Sequence, residues 1–372
     1  MKREPRVALV HDWWVSLRGG ERVFLGLARM FPHADCFTLI RRRSGLPPEM
    51  MALRPRSTFL SHIPGSARHH RALLPLYPLA VRSLNLHDYD LVISSSSGFC
   101  HGVRTSGVHV CYCHAPFRYA WNEYDETVAR QRSPLTRAAL GTILRRVRQL
   151  DNRAAQRVTT YVANSETVKR RIGEYYQRES VVVHPFVDTR RFQPVPSPAA
   201  DYYLVVSQLL PYKRVDLAVE ACTRLHLPLL VVGEGPERPA LERLAGPTVR
   251  FLGRVGNTEL PELFGSCKAL LQCGEEDFGI TALEVEACGR PVIAYGVGGA
   301  VETVIHNQSG LCFDVSSVEA VEDAIQKTRT MQWDPATVRS AAERYDEEHF
   351  RKAMGEVVAA AMSIRSPSYV TT

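Results

Sequence analysis

Runs of branched apolar residues recur along this chain, separated by amphipathic stretches. In the first half they are RVALV (6–10), DLVIS (90–94), VHVCYC (108–113), TTYVAN (159–164) and SVVVHP (180–185). Each reads as a strand buried on both faces, because little polar alternation breaks it. Helix-like segments lie between several of them. In ERVFLGLARMF (21–31), Val23, Leu27 and Met30 share a face with Phe24 and Phe31. A proline-rich break, FQPVPSP (192–198), interrupts the series, and then the pattern restarts. Strands are predicted at YYLVVS (202–207), PLLVVG (228–233), VRFLG (249–253), ALLQC (269–273) and PVIAY (291–295), with helices over 214–225, 236–245 and 258–267 and after Glu276.

Continuous apolar strands alternating with helices indicate a parallel sheet covered on both faces. At 372 residues the chain exceeds the size at which one core usually stops growing. The reading is therefore α/β: a Rossmann-like domain over 1–192, a second over 193–345, and a cleft between them, with ligands at the carboxyl ends of strands. EEHFRKAMGEVVAAAMSI (347–364) predicts a further amphipathic helix within a terminal segment, 346–372.

Charge changes the picture when it is split. Residues 1–190 carry 29 Lys+Arg against 15 Asp+Glu, whereas 191–372 carry 17 against 24. A basic first half asks for an anionic partner: nucleic acid, anionic lipid or a phosphorylated substrate. Basic clusters flank two greasy segments, ALLPLYPLAVRSL (72–84) and LTRAALGTILRRVRQL (135–150), a combination suited to docking on an anionic membrane face. No run of eighteen apolar residues appears. Nine scattered cysteines without a CxxC pair read as reduced thiols, and the expected location is cytoplasmic.

The chemistry concentrates at EEDFGITALEVEACGRPVIAYG (275–296). Glu276 and Glu284 stand eight residues apart, about 12 Å if helical throughout. An ionised carboxylate only accepts hydrogen bonds, which suits it to hydroxyl recognition. Between them Phe278, Gly279 and Ile280 place backbone N–H groups at a helix start, where the dipole favours an anion. Lys213 and Arg214 are cations at a helix N-terminus, electrostatically misplaced unless they meet an anion. Gly19 and Gly20 lie between the first strand and its helix, where backbone can approach a phosphate or an acceptor closely. His114 follows the carboxyl end of the VHVCYC strand.

Other signals carry less. Asp88 and Asp90 resemble a metal pair but run straight into a strand. GVGGAV (296–301) has Val301 where a dinucleotide fingerprint needs its last glycine, so its expected use is a loop near donor phosphates. SSSSG (94–98) lacks the G-x-S-x-G elbow of hydrolases.

EEDFGITALEVEACGRPVIAYGVGGAVETV resembles the C-domain signature of family 4 glycosyltransferases, enzymes of GT-B fold with a glutamate–seven residues–glutamate motif. SQLLPYKRVDLAVEA (207–221), VVGEGPE (231–237) and VRFLGRV (249–255) follow that family's order. VHDWWVSLRGGERV (10–23), YCHAPFRYAWNEY (112–124), ANSETVKRRI (163–172) and VVHPFVDTRRF (182–192) are similar to its N-domain and linker. Within the family the likeness is to bacterial polysaccharide mannosyltransferases using GDP-mannose.

The resemblance implies a retaining, metal-independent hexosyltransferase without a cofactor, with the last helix returning to the first domain. It implies that Glu284 binds the nucleotide ribose and Glu276 the transferred sugar, beside the backbone of Phe278, Gly279 and Ile280. Lys213, helped by Arg214, would neutralise the departing diphosphate, and His114 would touch the donor sugar. Val255 is the candidate for the base. Gln208 stands where the family commonly has an arginine. Glutamine donates a hydrogen bond but brings no charge, so either another arginine compensates or turnover is weak. The expected partners are a nucleotide-sugar donor and a lipid-linked or saccharide acceptor, with no nucleic acid. A UDP-sugar enzyme of the same fold and a catalytically weakened sugar-nucleotide binder stay open as alternatives. A nucleic-acid-binding protein explains the basic half but not the glutamates. A dehydrogenase needs a glycine fingerprint that the chain lacks.

Overall fold

The computed structural model describes residues 4–196 and 200–364; the tail of the FQPVPSP break and residues 365–372 of the terminal segment lie outside them. Two compact units are present, one running to His184 and resuming at Arg351, the other spanning Pro185–Phe350.

The first unit holds a seven-stranded parallel sheet: β1 (Val7–Trp14), β2 (Asp35–Arg41), β3 (Arg56–Ser57), β4 (Leu91–Ser96), β5 (Val108–Cys113), β6 (Thr160–Ala163) and β7 (Ser180–Val182). Its order is β3-β2-β1-β4-β5-β6-β7, so the strand order reverses between β1 and β4. The five expected strands are present, and β2 and β3 are additional. In β2, Thr38 interrupts the apolar run of Phe37, Leu39 and Ile40, and it is tolerated in the core because its hydroxyl donates to the Asp12 and Ile40 carbonyls.

The second unit holds β8 (Tyr203–Val206), β9 (Leu229–Val232), β10 (Val249–Gly253), β11 (Leu270–Gln272), β12 (Val292–Tyr295) and β13 (Gly310–Phe313), ordered β10-β9-β8-β11-β12-β13 and all parallel. Adjacent strand residues go to opposite faces, as the two-residue period requires. Val205, Val231, Leu271 and Ile293 join a core with the helices Val215–Arg224 and Val318–Thr330. Leu204, Val232, Leu270 and Val292 join one with the helix Ile280–Ala287. Here too the order reverses at the first strand, between β8 and β11.

The second unit opens at Pro185 rather than at 193. The Val187 amide donates to the Tyr345 carbonyl at 2.9 Å, and Arg339 donates to the Thr189 and Phe192 carbonyls, each at 3.0 Å. Phe192 is fully buried against Phe264. Burial by partners some 70 and 150 residues later outweighs the proline signal at 194. The last helix, Glu347–Ile364, matches the expected segment, and from Arg351 it is grouped with the first unit. Met354, Val358 and Ala361 form its buried stripe. No described helix is long and apolar enough to cross a membrane.

Candidate active site

In open parallel sheets, ligands bind outside the carboxyl ends of strands where the order reverses. Both crevices of this protein hold residues singled out from the sequence.

In the second unit, β8 runs into a short turn, Pro211–Lys213, while β11 runs into the loop 273–279. The Lys213 ammonium donates to both oxygens of the Glu276 carboxylate, with both side chains mostly buried. Gly274 makes the approach possible: a Cβ there would lie 2.3 Å from the Tyr212 carbonyl oxygen and 2.6 Å from Lys213 Cα. Glu276 is held from the other side by the GVGG loop. The Gly299 amide donates to its carbonyl at 2.7 Å, and a Cβ on Gly298, whose φ is +79°, would meet that oxygen at 2.3 Å. The glycines at 298–299 therefore serve close packing against the Glu276 loop.

Gly279, with φ +99°, caps the helix Ile280–Ala287. Phe278 is buried edge-on against Tyr345, which anchors the loop beneath the helix start. Glu284 is the fifth residue of this helix, inside an unbroken buried run from Ala282 to Ala287. Arg214, with φ +48°, directs its guanidinium to Asp216, at 3.0 Å, and to the Ser316 hydroxyl, at 2.9 Å. The Gln208 carbonyl accepts from the Leu210 amide and the Ser207 hydroxyl. Val255 is half-buried against the core that includes Phe264.

In the first unit, Gly19 and Gly20 open the helix Gly19–Met30, and the Glu21 carboxylate accepts the Arg18 amide at 3.0 Å. His114 follows β5 and is buried. Its Nε2 lies 2.8 Å from Ser95 Oγ, and Ser95 also contacts His11 Nδ1. Beside them Asp12 accepts four backbone amides, those of Ser97, Gly98, Phe99 and Cys100, at 2.7–2.9 Å. That carboxylate fixes the loop after β4 as an anion surrounded by donors. The serine run serves neighbouring histidines: Ser94 meets His109 and Ser96 meets His101. His101 in turn lies 3.2 Å from Asp151 and is buried with it. Burial opposes protonation of His101, but the Asp151 carboxylate outweighs it and raises the pKa. Asp88 and Asp90 precede the amino end of β4, opposite to His114, and Asp90 accepts the Arg6 amide.

Residues 186–345 match the family model described as glycosyl transferases group 1, and residues 17–191 match that of Glycosyltransferase Family 4. The chain belongs to the family 4 glycosyltransferases. A GDP-mannose-dependent alpha-(1-6)-phosphatidylinositol monomannoside mannosyltransferase of Mycobacterium tuberculosis is 35% identical over 170 residues, 38% of this chain and 44% of that protein. A D-inositol 3-phosphate glycosyltransferase of Geodermatophilus obscurus is 33% identical over 183 residues, 40% and 41% of the two chains. Less than half the length of either relative is matched. Sucrose-phosphate synthase from Thermosynechococcus elongatus superposes with a TM-score of 0.74 at 19% identity, covering 96% of this chain and 100% of that one. HepE of Anabaena in complex with UDP gives 0.70 at 18%, covering 95% and 100%. These likenesses establish the GT-B fold.

Within this family 4 glycosyltransferase, sequence reasoning passed over Glu286, two residues beyond Glu284. Glu286 is fully buried and accepts the Ser309 hydroxyl at 2.6 Å, while its Oε2 has no hydrogen-bond partner among the described residues. Burial pushes its carboxyl up to about 8, against smaller opposing effects of Ser309 and Arg344. A carboxyl whose folded pKa is raised binds its proton more tightly in the folded state. Its stabilisation is complete below the unfolded value near 4.5 and is lost as pH rises to about 8. Denaturant titrations from pH 4.5 to 8.5 are expected to show stability falling on this account by on the order of 3–5 kcal/mol. Glu286→Gln should flatten that limb; an identical slope in the variant would refute the assignment. Gln272 was also passed over. It ends β11, and its buried Nε2 has no partner among the described residues.

Proposed function

We propose that this family 4 glycosyltransferase is a retaining, metal-independent hexosyltransferase. In this reading it moves mannose from GDP-mannose to a lipid-linked or oligosaccharide acceptor in bacterial surface polysaccharide synthesis. One observation carries the proposal: Lys213 and Glu276 are locked together at the reversal point of the second sheet, with Glu284 buried in the helix that follows. A cation and a carboxylate held at that position answer the two needs of a nucleotide-sugar donor. Lys213 takes the charge that develops on the departing diphosphate, and Glu276, released from it, accepts hydroxyls of the hexose beside Phe278, Gly279 and Ile280. Because Lys213 supplies positive charge at the leaving group, neither a metal nor a cofactor is required. Glu284 accepts from the ribose, and Val255 contacts the base. Gly19 and Gly20 approach phosphate or acceptor, and His114 meets the transferred sugar. The acceptor hydroxyl loses its proton to the leaving phosphate oxygen. Gln208 adds a neutral donor at the diphosphate, whereas Arg214 reaches it only by leaving Asp216 and Ser316.

The mannosyltransferase relative supports GDP-mannose. The UDP bound by HepE, a fold neighbour, keeps a UDP-sugar as the second reading. Calorimetry with GDP-mannose, GDP, UDP-glucose, UDP, NAD and a DNA control, with and without chelator, tests the donor class. Saturable binding of one nucleotide-sugar and its diphosphate, unaffected by chelator, is the expected result. Salt-sensitive DNA binding alone would overturn it.

The acceptor side is proposed to dock on an anionic membrane face. In the helix Pro134–Ala155, Leu135 is 80% exposed and Ile143 41%, and Arg137, Arg145 and Arg146 are exposed with no acid before Asp151. Apolar side chains beside unopposed cations suit an anionic bilayer. The protein should co-sediment with phosphatidylglycerol vesicles and not with phosphatidylcholine ones. Arg137→Glu combined with Arg145→Glu should abolish the difference; equal binding to both vesicles would refute the docking.

A further inference from the structure

The first crevice contains a hydrogen-bonded chain whose proton positions follow from its geometry. His11 Nδ1 lies 3.0 Å from the Ser95 backbone oxygen and 3.1 Å from Ser95 Oγ. A carbonyl oxygen only accepts, so His11 Nδ1 carries a proton. Ser95 Oγ, fully buried, therefore faces a donor on the His11 side. Its second neighbour is His114 Nε2, at 2.8 Å. The hydroxyl proton has one acceptor between the two rings, the lone pair of His114 Nε2. A proton on that nitrogen would leave the buried hydroxyl with donors on both sides and nothing to donate to, a loss of about 1–3 kcal/mol.

We infer that Ser95 and His11 are positioning residues that hold His114 in the neutral tautomer with its proton on Nδ1. The ring is steered as well as protonated by its surroundings. Tyr112 packs on it edge-to-face at 5.1 Å, and His11 stands perpendicular to it at 6.4 Å. Glu21, from the first turn of the Gly-Gly helix, lies 3.8 Å from His11 Nε2, which ties the chain to the loop of Gly19 and Gly20. Among the described residues, the groups packed against the two rings include Ser95, Gly20, Glu21, Tyr112, Trp14 and Phe24. A histidine locked in this way presents an N–H donor at Nδ1 and no base at Nε2. Resting on the reading that His114 meets the transferred sugar, it acts as a hydrogen-bond donor to a sugar hydroxyl and not as the proton acceptor of the reaction.

The test uses the full chain labelled with 15N-histidine, with His114 assigned from the resonances missing in His114→Asn. Long-range proton–nitrogen correlation should show a protonated Nδ1 and an unprotonated Nε2 for His114 at neutral pH. In Ser95→Ala and His11→Leu the Nε2-protonated tautomer should appear. His11→Asn, whose amide can still donate to the Ser95 carbonyl, should restore the wild-type pattern. Turnover should fall roughly ten- to hundredfold in Ser95→Ala, as when other outer partners of a working histidine are removed, with the donor KM little changed. A wild-type His114 protonated at Nε2 would overturn the inference whatever the variants do. A tautomer that shifts in Ser95→Ala with turnover unchanged would overturn the positioning role and leave the glycosyltransferase reading standing. A wild-type enzyme that turns over no nucleotide-sugar would overturn that reading instead, while the nitrogen spectra still decide the tautomer.

Discussion

Glu276→Gln is expected to lower turnover by roughly 10²–10³-fold while leaving the affinity for the free nucleoside diphosphate within about threefold of wild type. The asymmetry follows from what the carboxylate touches. It neutralises Lys213, and both side chains are more than four-fifths buried. When a diphosphate takes Lys213, the Glu276 oxygens turn to hydroxyls of a sugar that free nucleotide lacks. Glutamine fills the same volume but replaces one acceptor with a donor. Lys213→Ala should instead lower both turnover and diphosphate binding. Lys213→Arg should not rescue it, because a planar fork cannot reproduce the point charge of an ammonium. Steady-state release of nucleotide, set beside calorimetry on the same preparations, separates the two effects. A Glu276→Gln enzyme with unimpaired turnover would remove Glu276 from the reaction.

Glu284→Ala should raise the Kd for the nucleotide by roughly ten- to hundredfold, the loss of one or two charge-assisted hydrogen bonds. Turnover at saturating donor should stay close to wild type. The burial of Glu284 makes a decisive control possible. If its carboxylate served only the protein interior, the variant would melt at lower temperature and bind as before. If it serves the ribose, wild type should discriminate against a 2′-deoxy or 3′-deoxy nucleotide, and Glu284→Ala should not. Loss of discrimination in that cycle is a coupling between two specific groups, which a general destabilisation does not produce.

Much of this protein is legible in its sequence. The strands on the two faces of the second sheet, such as Leu204 and Val205 or Leu270 and Leu271, are continuous apolar runs, and a run buried on both faces needs no tertiary information to be recognised. The loop position of Glu276 and the helix of Glu284 could be placed because Gly274, Gly279 and the GRP sequence after Ala287 mark the ends of elements. The last helix was legible for the same reason, a stripe repeating every three to four residues.

Other features depended on partners far away in the chain. β2 carries a polar residue in its centre and β3 is two residues long, so neither has a period to read. The start of the second unit at Pro185 is decided by Arg339 and Tyr345, whose contacts with 187–192 leave no local trace. Glu284 and Glu286 are identical letters on one buried helix, and the bond from the Ser309 hydroxyl, 23 residues on, marks the second as a structural carboxyl. His11, Ser95 and His114 come from three strands or their ends, and Asp12 bonds amides some 85 residues later. Periodicity and punctuation are properties of neighbours along the chain, and they determined the two α/β series and the helix start that carries the candidate carboxylates, while the motif resemblance pointed to the family. Which buried polar groups meet, and therefore which protons they hold, depends on desolvation and hydrogen bonds between segments brought together by folding, and only the tertiary structure decided it.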